Sequence, residues 1–288
     1  MNKPVIITAD SSADLPPEIR ERYGIHIFPL YINLEGKFYK DCVDIFPADI
    51  YAAYDQKRVI PKTAAPSIGE YQAFFQQFTS QGFAVVHISL DHQLSSCFRI
   101  ALLAAEEMRD VYPVDSMNFC VGQGMLTCKA AKLRDAGLAA DEIAVDLTVQ
   151  REKIRSYYLA DSLEFIKKGG RCSAIQAFGA NLLGIRPSIV VDGSNGDLIV
   201  GKKYRNKRPV VQETFIRDAI AAVRTNLDTS MMVISAHTPD MLPAQYEPLD
   251  AIVKAEMPEV SEIATGTLGC VITSHVGKQC LAVIAMEK

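Results

Sequence analysis

LEFIKKGGRCSAIQAFGANLLGIRP, residues 163–187, is the stretch around which the rest of the chain is organised. It opens as a short amphipathic turn carrying Leu163, Phe165 and Ile166, and it breaks at Gly169-Gly170. Adjacent glycines reach backbone angles closed to other residues and let a second surface come close. Arg171 follows, and then Ser173, placed to cap an apolar helix running to about Leu183. Gly184 ends that helix and Pro187 stops it from resuming. An arginine between a glycine break and a helix start is poorly placed for core packing and well placed to point into a cleft. The same spacing also suits an ordinary helix–turn–helix with a solvated arginine.

Before this stretch, strands and helices alternate. Val5–Thr8 reads as a buried strand, Asp10 to Asp14 as a polar loop, and Pro16-Pro17 as a helix start. Residues 25–32 are apolar and β-rich, Gly36 marks a turn, Lys37–Val43 follows as an extended run, and Phe46–Tyr54 has a helical pattern. Thr63 to Ser67 reads as a loop in which Ser67, with Glu70 three residues on, makes a capping box. Residues 84–89 are a second buried strand, and a helix lies between Leu94 and Asp110. Residues 118–121 and 122–136 are read as a further strand and helix. Strands separated by helices of this length imply crossovers and a parallel sheet covered on both faces.

From about residue 155 the pattern mixes. Tyr157–Ala160 is strand-like, and the turn signal at Gly193-Ser194-Asn195-Gly196-Asp197 joins two strands. Helices near 210–226 and 244–255 flank a strand at Met231–Ala236, and the chain closes with expected strands at Cys270–Thr273 and Cys280–Met286. The predicted fold class is α/β: a parallel-sheet α/β domain at 1–155 and an α+β domain with a mixed or antiparallel sheet at 156–288. No Pro/Gly/Ser linker separates them, so close packing with a ligand cleft between is expected.

The 288 residues are 49% hydrophobic and 22% charged, as in an ordinary globular protein. A net charge of −4 argues against a general nucleic-acid binder. Seven cysteines, with no C-x-x-C pair, suggest neither a disulfide framework nor a zinc knuckle and fit a reducing compartment. The apolar run after Met1 is short and interrupted by Asp10, and nothing approaches eighteen consecutive apolar residues. A cytoplasmic location without stable membrane insertion is the expectation.

Nucleotide and hydrolase signatures are missing: there is no G-x-G-x-x-G, no G-x-x-x-x-G-K-[ST] and no G-x-S-x-G. Asp10 and Asp14 follow the first strand, where parallel sheets place ligands; they suit a metal or helix capping, and capping is favoured. Ser95 and Ser96 precede a helix start near Phe98, where a serine is a plain cap or part of an anion site. Of five histidines, His275 stands out, expected just after a strand at a sheet end. His26, His87, His92 and His237 show no metal spacing and no carboxylate partner in the sequence.

ITADSSADLP at 7–16, KTAAPS at 62–67, ISLDHQLSS at 88–96, the GGR stretch and SHVG at 274–277 resemble the DegV family in order and spacing, over nearly the whole chain. The resemblance implies two domains enclosing a long-chain fatty acid, with no cofactor. It also implies a non-catalytic role, as the subunit that presents the carboxylate to a separate ATP-binding fatty acid kinase subunit, in the service of phospholipid synthesis. By motif position, Thr63 and Ser95 would hold the carboxylate with the Ser96 amide, while Arg171, Arg205 and His275 would surround the cleft mouth. Leu94-Ser95-Ser96-Cys97 departs from the family's usual Leu-Ser-Gly-Thr, Gly277-Lys278-Gln279 from its Gly-Pro-Gly turn, and Arg186 from a commoner lysine. Two rival functions are a small-carbonyl enzyme using His275, from a likeness to dihydroxyacetone kinase domains, and a lipid-sensing regulatory protein.

Overall fold

The computed structural model describes residues 3–172 and 184–288. The cap at Ser173 and the helix expected to reach Leu183 lie outside the described residues. In the first half, β1 (Val5–Asp10) leads through a short 3₁₀ turn to α1 (Pro17–Tyr23) and β2 (Ile25–Phe28). A small antiparallel excursion follows: β3 (Tyr31–Leu34), β4 (Lys37–Lys40), α2 (Pro47–Lys57) and β5 (Lys62–Ala64). Next come α3 (Ile68–Thr79), β6 (Ala84–Ser89), α4 (Cys97–Glu106), β7 (Val111–Asp115), α5 (Cys120–Asp135) and α6 (Ala140–Gln150).

β1, β2, β6 and β7 form a parallel sheet in the order β2-β1-β6-β7. All of β6 is buried, as expected of a strand covered on both faces. α3 starts on the expected capping box: the Ser67 hydroxyl accepts from Glu70 N–H at 3.3 Å, and Glu70 Oε2 accepts from Ser67 N–H at 2.8 Å.

In the second half, β8 (Ile154–Leu159) and α7 (Glu164–Gly169) precede the hairpin of β9 (Arg186–Val191) and β10 (Leu198–Tyr204). Then come α8 (Arg208–Val223), β11 (Val233–His237), α9 (Pro243–Glu256), β12 (Ile263–Thr267), α10 (Cys270–Val276) and β13 (Leu281–Met286). The sheet order is β10-β9-β8-β13-β11-β12; only β11 and β12 pair in parallel, so the sheet is mixed as expected. Pro187 sits at the start of β9, where only β10 pairs with it, so its missing N–H breaks no ladder with β8.

One helix joins the two sheets. α5 packs on β1 and β6 and also on β8 and β13, and most of its residues are buried. Its glycines allow the approach. A Cβ on Gly122 would lie 2.6 Å from Ser156 Oγ, and one on Gly124 would lie 2.6 Å from the Ala13 carbonyl oxygen.

Four assignments change. The strand read at 118–121 is instead β7 at 111–115; Pro113 disguised it, but β7 is a sheet edge, where proline is tolerated. Residues 63–64 belong to a strand, β5, rather than a loop. Residues 25–32 break at Pro29-Leu30 into β2 and β3, and β4 stops at Lys40. The run Cys270–Thr273 is helical, not extended, so His275 lies on a helix. A short apolar run is ambiguous between helix and strand. Here distant carboxylates decide it: Asp14 Oδ1 accepts from Gly269 N–H at 2.9 Å and Asp41 Oδ1 from Cys270 N–H at 2.8 Å. Asp14 thus caps α10, not the helix that follows it in sequence. No helix among the described residues is long and apolar enough to cross a membrane.

Candidate functional site

A cavity of about 270 Å³ lies where the two halves meet, and Thr63, Ser95, Ser96, Arg171 and His275 all line it. Leu30, Phe119, Ile166, Ile189 and Ile272 supply much of its apolar wall. Phe119 is itself fixed by stacking on Tyr158, with ring centroids 4.4 Å apart.

Thr63 reaches the cavity from β5, whose place is set by pairing with β3, Thr63 opposite Ile32. Its hydroxyl lies 3.0 Å from His275 Nε2. The other ring nitrogen, Nδ1, is buried and has no hydrogen-bond partner among the described residues. It faces Gly169: a Cβ there would stand 2.5 Å from Nδ1, so a glycine is what leaves room for the imidazole. Burial, and second the charge of Arg171, push the His275 imidazole down to about 4. The ring is therefore neutral at pH 7. Arg171 is exposed, donates from Nη1 to the Gly169 carbonyl at 2.7 Å, and holds Nε 3.5 Å from the Leu94 carbonyl. These contacts run from Thr63 through His275, Gly169 and Arg171 to Leu94, beside the two serines.

That serine loop is folded by its own backbone. Leu94 and Ser95 N–H both donate to the Asp91 carbonyl, at 3.1 Å each. The Ser95 hydroxyl accepts from Cys97 N–H at 3.3 Å and donates to Cys97 Sγ at 3.1 Å. Ser96 occupies the cap position of α4, but its side chain caps nothing. Both readings of Ser95 therefore have a physical basis: it serves the first turn of α4 and it faces the cavity. Burial, then the charge of Asp10, push the Cys97 thiol well above its ordinary range, which leaves it a neutral partner for Ser95.

Arg205 is exposed just after β10 and is not among the residues lining the cavity. Arg186 pairs with Asp161, which also accepts from Arg208 Nη2 at 2.7 Å. That arginine is thus spent on fixing the start of β9.

Two histidines have carboxylate partners that sequence reading missed. His87 Nε2 lies 3.3 Å from Asp10 Oδ1, and Tyr71 also donates to that oxygen. The second oxygen of Asp10 accepts from Leu90 N–H at 3.0 Å, so Asp10 anchors the loop that leads to Ser95. His92 Nδ1 lies 2.7 Å from Asp115 Oδ2. The missed signal was spatial: parallel pairing sets β1 beside β6 with Thr8 opposite His87.

A family model described as "Uncharacterised protein, DegV family" matches residues 4–288. The protein DegV of Bacillus subtilis is 29% identical to this chain over 284 residues, covering 97% of this chain and 98% of that one. A solved DegV family protein from Thermus thermophilus, described by its fatty acid binding, superposes with a TM-score of 0.87 at 25% identity over the whole of both chains. The Bacillus subtilis DegV structure, described as a fatty acid binding protein, gives a TM-score of 0.84 at 26% identity, covering 99% of this chain and all of that one.

Proposed function

The chain belongs to the DegV family, and on that premise we propose that its cavity holds a long-chain fatty acid whose carboxylate is presented to a separate ATP-binding kinase subunit. The observation that carries this reading is an apolar cavity whose hydrogen-bonding groups are gathered at Thr63, His275 and the Ser95–Ser96 loop. Each buried methylene contributes about 0.8 kcal/mol, so a chain of roughly sixteen carbons gains on the order of 12 kcal/mol before the costs of binding. Its carboxylate must still be paired.

The neutral His275 can donate from Nε2–H to the Thr63 oxygen, which turns the Thr63 proton toward the ligand. Ser95 moves its proton from Cys97 to the second carboxylate oxygen, and the Ser96 N–H, at the start of α4, adds a third donor. One carboxylate lone pair stays free to attack the γ-phosphorus of ATP held by the partner. The bond from that phosphorus to ADP breaks, giving an acyl phosphate and ADP. Arg171, and by family position Arg205, are the cations that meet the partner and the transferring phosphoryl group. The sequence contains no G-x-x-x-x-G-K-[ST] motif.

Small-carbonyl chemistry fits less well. Its general base would need an orienting carboxylate, whereas His275 is paired with a hydroxyl and its other nitrogen has no partner among the described residues. Denaturing the purified protein and identifying extracted molecules by mass spectrometry tests the reading. A stoichiometric long-chain fatty acid is expected; an empty cavity with turnover of a small ketone would replace it with the enzyme reading.

A further inference from the structure

We propose that Cys42 and Cys270, with the carboxylates of Asp41 and Asp14, form a binding site for a zinc-class divalent cation. The site opens on a second cavity, of about 540 Å³, which shares no lining residue with the first. The donor atoms of Asp41, Cys42 and Cys270 all lie within 4.8 Å of one another. Around a tetrahedral zinc with bonds of roughly 2.0–2.3 Å, neighbouring donors stand about 3.3–3.8 Å apart. Closing the shell requires the Cys270 thiol to leave the Ile45 carbonyl, to which it donates at 3.3 Å, and Asp14 to move in from outside this group of three.

A further feature is an under-bonded oxygen. Asp14 is only 8% exposed, and its buried Oδ2 has no hydrogen-bond partner among the described residues beyond the neighbouring Cys120 thiol. Its other oxygen faces the same spot as the remaining donors. A Cβ on Gly269 would lie 2.9 Å from Asp14 Oδ1, 3.3 Å from Asp41 Oδ1 and 3.4 Å from Cys42 Sγ. Two carboxylates and a thiol thus converge beside a residue with no side chain.

Asp41 has the support of a ligating carboxylate. Its Oδ2 accepts from Ser11 Oγ at 2.7 Å and its Oδ1 from Cys270 N–H, which fixes its orientation as outer-shell hydrogen bonds do in metal sites. Two sulfur donors with carboxylate oxygens favour zinc over calcium or magnesium, which take oxygen alone. Cys42 is exposed and provides an entry path. The position has a structural consequence. Cys42 lies on the turn after β4, and Cys270 begins the helix that carries His275, so a bound ion would pin one to the other. The other cluster of this kind among the described residues, Asp91, His92 and Asp115, already has Arg151 Nη1 3.7 Å from Asp115 Oδ2, which fills the place a cation would take.

The test uses the full-length protein, reduced and stripped of metal by a chelator, and titrated with Co²⁺. One equivalent should give a thiolate-to-cobalt charge-transfer band and tetrahedral d–d bands, both lost on adding Zn²⁺, and Zn²⁺ should raise the Tm. Cys42→Ser, at an exposed position whose fold is checked by circular dichroism, should at least halve the charge-transfer band, since only the Cys270 thiolate would remain. Asp14→Asn should weaken Zn²⁺ binding 10–100-fold. His92→Ala should leave it unchanged. Absence of the band at one equivalent would overturn the proposal. So would a band that keeps its full intensity in Cys42→Ser or is lost in His92→Ala. If the reduced chain ignores both metals but forms a Cys42–Cys270 disulfide with hydrogen peroxide, the thiols are a redox pair and the metal site is wrong.

Discussion

The Thr63 hydroxyl and His275 Nε2 lie 3.0 Å apart although 212 residues separate them in sequence. Thr63 comes from a three-stranded excursion of the first half, and His275 from a seven-residue helix of the second. Their contact closes one side of the cavity across the junction of the halves.

The pair makes ligand binding sensitive to protons. The His275 imidazole is pushed down to about 4, against 6.5 for a free ring, by burial first and Arg171 second. Between those values the unfolded chain binds a proton that the folded one refuses. The neutral ring's contribution is therefore complete above pH 6.5 and is lost as the pH falls toward 4, by up to about 3 kcal/mol. Urea unfolding at pH 7 and pH 4.5 should show this loss in the wild type and a smaller one in His275→Gln. A bound carboxylate nearby should raise the His275 pKa, visible as an upward shift of its NMR titration when fatty acid is added.

Gly169→Ala should damage the site without touching ligand. Its new Cβ would stand 2.5 Å from His275 Nδ1, and Gly169 is also the residue whose carbonyl holds Arg171. Overpacking of this kind costs about 1–3 kcal/mol. The expected result is a lower Tm and at least tenfold weaker fatty-acid binding, with a weaker Thr63–His275 contact in the crystal structure of the variant.

Arg171→Ala and Arg205→Ala should leave fatty-acid affinity nearly intact and lower acyl phosphate formation with the partner kinase. Arg171 sits at the exposed edge of the cavity and spends its hydrogen bonds on backbone carbonyls, which leaves its charge available to a partner. Arg205 rests on family position alone. Measuring affinity and phosphorylation for each variant separates the two jobs; loss of ligand with normal coupling at saturating fatty acid would reverse the assignment.

Much of this architecture was legible from local pattern. Alternation of strands and helices gave the parallel sheet, and the Gly193–Asp197 turn gave the β9–β10 hairpin. The box at Ser67 gave the start of α3. What failed at Cys270 and at β7 was set by distant contacts, whereas the break at Pro29-Leu30 was local. Nothing local tells Cys270 to be helical; two carboxylates more than two hundred residues earlier cap its backbone. The edge position that admits Pro113 into β7 is likewise a property of the sheet, not of the strand. For the site, family motifs named residues that do line one cavity: Thr63, Ser95, Ser96, Arg171 and His275. The pairing of Thr63 with His275, and the use of Gly169 as space for the ring, required coordinates.

The carboxylate site is tested most directly by comparing a long-chain fatty acid with the alcohol of the same length on wild type, Thr63→Val, Ser95→Ala and the double variant. A hydrogen bond to a charged group is worth roughly 1.5–3 kcal/mol, so each single change should weaken acid binding by about one to two powers of ten. The double variant should lose less than the sum, because both hydroxyls grip one group. The alcohol should respond far less. Ser95 also serves the first turn of α4, and loss of that role, about 1 kcal/mol, would weaken both ligands alike and lower the Tm. Selective loss of the acid is the predicted result. Equal losses for acid and alcohol would mean that Ser95 and Thr63 only support the fold, and that the carboxylate lies elsewhere.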